Sequence, residues 1–289
     1  MIRHPAVAGT FYPGEPRELL ARVQQFLAEG RVEYSEDAAA RLSAATSAPA
    51  SATIAGDVLA CLVPHAGYVY SGRIAGAVYS RIRIPKRVII LGPRHRPGGA
   101  NFAINSEGAW ETPLGRAQID SELARALMEA CPLLVEDDVA HRREHSLEVQ
   151  LPFLQTLSKK FQFVPIAIGT LKFDELAELG HALSRVITHS DEPVLLVASS
   201  DMNHYESEEI THVKDHQAID QMLALNPRGL HDTVRREGIT MCGCGPAVSA
   251  LTAALDLGAT RAELVRYATS ANVLGDRNDV VGYAGMLFR

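Results

Sequence analysis

The sequence predicts an α/β protein in which helices are layered on a central sheet. Two observations carry this. Apolar runs of strand length alternate with segments of helical period ten or more residues long. Three of the runs, VLACLV before His65, RVIIL before His95 and PVLLVA before His204, lead directly into a histidine-bearing turn. Ligands of open α/β sheets bind at the carboxyl ends of strands, so three such turns point to one shared polar site.

Taken in order, residues 15–30 have helical spacing and a terminal Gly30, and read as the first helix. Residues 37–53 are small and polar and read as a mobile surface loop, with a weak helix at its start as the other reading. A strand at 58–63 then passes through Pro64-His65-Ala66-Gly67 to a helix over 72–79, and a strand at 87–91 ends in Gly92-Pro93-Arg94-His95. A short strand is expected at 102–104, followed by a turn-rich GAWETPLG stretch. Asp120 caps a helix to about 129, and a further helix starts near Ser146 and runs to 157. Strands at 161–168 and 194–198 bracket a helix at 174–187. Helices follow at 208–225, 227–237 and from Gly245 to 257, and strands at 263–268 and 280–288 close a single domain spanning 1–289.

The chain is 289 residues long, with 28 basic and 34 acidic residues and no long basic run. That balance argues against a nucleic-acid surface, which needs a basic stripe to neutralise phosphates. No uninterrupted apolar stretch approaches 18 residues and no secretory signal is readable, so neither a membrane span nor export is expected. Four scattered cysteines do not make a disulfide scaffold, and a cytoplasmic location is the default.

His65 and His95 are the strongest candidate pair. Imidazole is a ligand for iron, zinc, copper or nickel, and each of these two lies in a turn just beyond a proline. Their alternative is to satisfy loop backbone. Cys242 and Cys244 precede an expected helix, where unpaired N–H groups stabilise thiolates; the alternative is close packing of small residues. Asp201 and His204 in SSDMNH, and Glu144, His145 and Glu148 in HRREHSLEVQLP, suit imidazole orientation or proton transfer. His141, Arg142 and Arg143 read as surface, and most of His4, His181, His189, His212, His216 and His231 are expected to be exposed. Tyr68 and Trp110 are candidate pocket walls and Arg94 a candidate anion contact, each with a plain core or solvent alternative.

In chain order, PAVAGTFYPG, PHAGYVYSG, LGPRH, EHSLEVQLP, SSDMNH and MCGCGP resemble the Memo family, over nearly all of Arg3 to Phe288. The resemblance implies a fold like that of the class III extradiol ring-cleavage dioxygenases, a central mixed sheet with helices on both faces, and a non-haem metal. It assigns His65, His95 and Cys242 as metal ligands, with His145, Asp201 and His204 as catalytic candidates around them. It also implies a pathway link to a radical-SAM enzyme. A single His95 followed by Arg96 stands where Memo-like sequences can have two adjacent histidines, and Cys244 adds a second candidate thiolate. Relative to extradiol dioxygenases, Cys242 replaces a carboxylate ligand, which softens the site towards Cu(I) or Zn(II).

Three functions follow as expectations. The first is an Fe(II)-dependent oxidoreductase acting on an unidentified small molecule, with His204 or His145 moving protons and Asp201 or Glu148 orienting an imidazole. The second is a copper- or iron-binding redox or protein-interaction protein without turnover. The third is zinc-dependent hydrolysis with His204 as the proton relay.

Overall fold

The computed structural model describes residues 1–44 and 58–289. The first half of the chain contains β1 (Ile2–Arg3), α1 (Pro16–Ala44), β2 (Ala60–Val63), α2 (Tyr68–Tyr79), β3 (Arg87–Pro93), β4 (Phe102–Ile104), β5 (Ala109–Thr112), β6 (Gly115–Ile119) and α3 (Ser121–Ala130). Next come β7 (Val135–Glu136), α4 (Asp138–Arg142), a 3-10 turn (Glu148–Gln150), α5 (Leu151–Leu157), β8 (Gln162–Ile168), α6 (Phe173–Thr188) and β9 (Val194–Ser199). The chain ends with β10 (His204–Glu206), α7 (Glu208–Leu223), α8 (Pro227–Arg236), α9 (Cys244–Asp256), β11 (Ala262–Thr269), α10 (Ala271–Leu274) and β12 (Val280–Phe288).

The strands form one mixed sheet in the order β1-β5-β6-β8-β3-β9-β2-β12-β10, with β11 on β12 and β4 joining β8 to β7. β8, β3, β9 and β2 are parallel neighbours: Ile89 lies opposite both Val164 and Leu196, and Leu62 lies opposite Ala198. The three apolar runs that end in histidine turns are therefore adjacent strands pointing the same way, and their carboxyl ends converge.

Successive side chains on these strands go to opposite faces and both faces are covered, so the runs are apolar throughout except at Arg87, the partly exposed start of β3. Leu62, Ile89, Leu91, Leu196 and Ala198 join one core cluster with residues of α3, α6, α8 and α9. Cys61, Val63, Val88, Ile90 and Val197 join the other with α1, α2 and α5. Each fully buried Leu, Ile or Val contributes about 1.5–3 kcal/mol.

Several expectations need correction. Gly30 does not end the first helix. It lies inside α1, where a Cβ would strike the backbone of Ala77, so it permits α1 to approach α2 closely. Of the stretch 37–53, residues 37–44 continue α1, and the rest lies outside the described residues. The GAWETPLG stretch is a β-hairpin, β5 paired antiparallel with β6, turning through Pro113 and Leu114. Trp110 lies in the core. Its indole is buried, donates from Nε1 to Asn105 Oδ1 and lies under the Arg3 guanidinium. Tyr68 is buried, with its hydroxyl donating to the Val149 carbonyl, and it does wall a cavity, one of about 240 Å³ shared with Phe11, Tyr12 and Phe26.

Candidate metal centre

β2 ends at Val63, and the turn that follows carries His65 into a buried position. Asp201, just beyond β9, fixes that turn by accepting from the amides of His65 (2.8 Å) and Ala66 (3.2 Å). Asp201 thus holds backbone rather than an imidazole. Burial raises its pKa, and the amide of His65 opposes the rise.

The proton on His65 can be placed by counting hydrogen bonds. Gln150 Nε2 donates to the Pro64 carbonyl and to Ser199 Oγ, which identifies that atom of the amide as its nitrogen. Ser199 Oγ gives its single hydrogen to the Ser146 carbonyl at 2.6 Å. At its 2.9 Å contact with His65 Nδ1 the hydroxyl can therefore only accept, so Nδ1 carries the hydrogen and Nε2 presents a lone pair. Burial, then the charge of His95, lowers the His65 pKa well below the ordinary value.

His95 follows β3. Its Nδ1 lies 2.9 Å from Glu144 Oε1, and its amide donates to Glu144 Oε2 at 2.6 Å. Glu144 also accepts from the amides of His145 and Ser146, each at 2.9 Å. Burial pushes this carboxyl up, but His95 and the amides outweigh burial and hold it well below the usual carboxylate range. An ionised Glu144 keeps the hydrogen on His95 Nδ1 and frees Nε2. Gly92 makes the approach possible, because a Cβ there would collide with Ser146 and Leu147.

His145 completes the cluster. Its ring stacks on His95 with centroids 4.7 Å apart, stands 5.5 Å from His65, and packs against Phe11 at 4.6 Å. Burial, then the charge of His65, lowers its pKa to about 4. One nitrogen from each of His65, His95 and His145 lies within 4.8 Å of the other two. His65 presents an unprotonated Nε2, His95 uses Nδ1 on Glu144 and keeps Nε2 for another partner, and burial disfavours the charged forms of His65 and His145. The cluster therefore fits a metal ion that takes nitrogen ligands.

Cys242 lies beside this triple. Its Sγ is 3.3 Å from His65 Nε2 and 3.3 Å from the Asp201 amide nitrogen. Burial, then the charge of Asp201, pushes its pKa up, so the thiol keeps its hydrogen and donates to His65 Nε2. Cys244, two residues on, is different. It begins α9 and is buried in the apolar core, where burial pushes it up to about 12. Gly243 separates the two because a Cβ there would strike Ser199 and Ser200. His204 sits at the rim in β10, its Nδ1 donating to the Thr240 carbonyl at 3.0 Å. Its charge is felt at His65 and Asp201.

The reading of the EHSLEVQLP segment changes in two ways. Glu148 orients no imidazole: it accepts from Arg3 Nη1 (2.7 Å), the amides of Ala6 and Val7, and the Tyr12 hydroxyl (2.6 Å). Glu144, four residues earlier, is the carboxylate that addresses the cluster. His141 is not at the surface either; it is buried, with Nε2 3.1 Å from the Ala103 carbonyl. His231 is also buried, against the Leu171 carbonyl. Arg94 contacts the carbonyls of Arg96 and Gly98, so it braces its own loop instead of presenting a free anion contact.

Comparison with known proteins places this geometry. The sequence model for "Memo-like protein" matches residues 3–287. A MEMO1 family protein of Methanopyrus kandleri is 39% identical over 297 residues, covering 100% of this chain and 99% of that protein. One from Aquifex aeolicus is 39% identical over 99% of both chains, and one from Archaeoglobus fulgidus 37% identical over 100% of both. Among solved structures, an uncharacterized protein of Escherichia coli K12 superposes with a TM-score of 0.56 at 12% identity, covering 80% of this chain and 99% of that one. That likeness concerns the fold alone. With a family match running from the Arg3 clamp to the last strand, the chain belongs to the Memo-like protein family.

Proposed function

We propose that the protein is a non-haem metal protein whose centre is held by His65, His95 and His145, and that it acts as a metal-dependent oxidoreductase on a small molecule. The observation that carries the metal reading is the three-imidazole cluster, with ligand nitrogens within 4.8 Å of one another. Fe(II) is the first choice, because imidazole ligation that leaves coordination positions open suits a redox-active ion which binds substrate and O₂. When bound, such an ion supplies Lewis acidity and one-electron chemistry. The chain's own residues do the rest. Ser199 and Glu144 fix the two imidazole orientations, Asp201 holds the His65 turn, and His204 is placed at the rim to exchange a proton with a bound molecule. The mixed sheet with helices on both faces is compatible with a class III extradiol dioxygenase-like architecture, which supports redox chemistry by analogy only.

A second reading is favoured by one observation, the Cys242 thiol 3.3 Å from His65 Nε2. Loss of its proton would add a soft donor and suit Cu(I) or Zn(II), giving a metal-binding protein without turnover. In that reading His65, His95 and Cys242 are the principal ligands.

The test is metal analysis after anaerobic purification, on the natural protein and on His65→Ala, His145→Ala and Cys242→Ser. The first reading expects about one equivalent of iron, at least tenfold less in both histidine variants, and retention in Cys242→Ser. Copper lost most in Cys242→Ser supports the second. Unchanged metal in His65→Ala rejects both. Acid release is a further check: because His65 and His145 are held neutral to low pH, metal should be retained on dialysis at about pH 5.5, where a free histidine is mostly protonated.

A further inference from the structure

Beside the metal cluster lies a cavity of about 580 Å³ between the amino-terminal segment, the loop after β3 and the segment around α4. His145 is shared, lining this cavity while its ring stacks on His95. Phe11 lines it too and lies against the His145 ring, giving the cavity one flat apolar wall at the cluster end.

The remaining wall is unusually basic for a chain of net charge −6. Arg96 comes from the loop after β3, and Arg142 and Arg143 from the end of α4, so three guanidinium groups from two separate segments border one hollow. All three residues are exposed, and among the described residues none pairs with a carboxylate. Arg3 also borders the cavity, but its charge is committed to Glu148 at 2.7 Å. The one acidic lining residue, Asp138, accepts from Asn105 Nδ2 at 2.9 Å and cannot neutralise three arginines. Like charges brought together around a concave surface repel, and their shared field favours an anion inside it.

We propose that this cavity binds the anionic end of a small molecule, a carboxylate or a phosphate ester, whose flat body lies against Phe11 and His145 so that its other end meets the metal cluster. Planar guanidinium forks match either oxyanion with paired hydrogen bonds. The volume suits a small organic molecule and is far too small for a folded partner. What the far end meets rests on the metal reading above; the anion site itself stands on the arginines.

The experiment is calorimetric titration of phenyl phosphate and of benzoate at low salt into the natural protein, Arg96→Gln/Arg143→Gln and His95→Ala, with metal content measured on each. Both arginines are exposed, so the double variant removes charge from the cavity without emptying the core. The expected result is binding of at least one probe to the natural protein, weakened at least about tenfold in the arginine variant with metal content unchanged. In His95→Ala the same probe should bind within about threefold of the natural protein although metal is lost. A preference for phenyl phosphate identifies the anion as a phosphate ester, and one for benzoate identifies a carboxylate. No binding of either probe, equal affinity in the arginine variant, or loss only in His95→Ala overturns the proposal, the last because the probe would then sit on the metal. If the natural protein holds no metal but the arginine effect is present, the metal reading fails while the anion site stands.

Discussion

Glu144 and Asp215 are both completely buried carboxylates, and their pKa values move in opposite directions. Glu144, under the histidine cluster, accepts from His95 Nδ1 and from the amides of His95, His145 and Ser146. Asp215, on α7 and facing the β11–β12 pair, accepts among the described residues from the Asn203 amide (2.8 Å) and the Tyr267 hydroxyl (2.7 Å). Burial raises both. At Glu144 the donors outweigh it and the group stays ionised; at Asp215 burial wins and the pKa is pushed up to about 7. Donor count, not depth, decides whether a buried acid keeps its charge.

The sharpest way to break the comparison is Glu144→Ala. It strands the His95 ring and three amides in a closed site, so a loss of up to about 5 kcal/mol in urea unfolding is expected, together with loss of metal. An intact metal content in this variant would show that His95 needs no orienting carboxylate. The ionised group also predicts a pH sign. Its folded pKa is depressed, so its contribution is present above the ordinary carboxylate range and disappears as the pH falls below it.

Asp215 predicts the reverse. Its folded pKa lies above its unfolded one, so between about pH 4 and 7 the native state holds a proton the unfolded chain has released, and stability falls as pH rises. About three pH units at 1.36 kcal/mol each give a loss of about 4 kcal/mol across that window. Asp215→Asn should remove this slope, because its carbonyl can face Asn203 and its amide the Tyr267 oxygen. Melting temperatures from pH 4 to 8 on both proteins measure it, and parallel curves would refute the assignment. Tyr267→Phe takes away one of the two donors and keeps the ring against His212 and His216. A smaller effect is expected, about 1 kcal/mol, with the Asp215 transition moved to higher pH.

Much of this contrast is hidden in the sequence. The strands under the site are legible because burial on both faces leaves uninterrupted apolar runs, and β12 takes its expected limits for the same reason. Motifs bring His65, His95 and His145 near one another, with His145 expected beside the ligands and found among the three clustered nitrogens. Glu144 and Glu148 cannot be separated that way. Both are acids in one short apolar-flanked segment, and only contacts reaching 49 residues back to His95 and 145 back to Arg3 distinguish them. A spacing of four suggests a shared helical face, yet Glu144 precedes the 3-10 turn in which Glu148 lies, so the rule does not apply. The β5–β6 hairpin escapes a sequence reading because its strands are short and mix apolar, charged and polar residues without a sustained alternation. Arg142 and Arg143 read as surface and Arg96 only as the residue after His95, since nothing in the sequence brings the loop after β3 against the end of α4.

The Ser199 hydroxyl has one hydrogen and three neighbours, and every one of its bonding positions is used. That arrangement makes His65 a poor conduit for protons. For Nδ1 to release its hydrogen, Ser199 would have to turn away from Ser146, and Gln150 with it, unsettling a chain of contacts that ends at the Tyr79 hydroxyl in the core. His65 is thereby locked in one tautomer, and Nε2 is the one nitrogen it has left to offer.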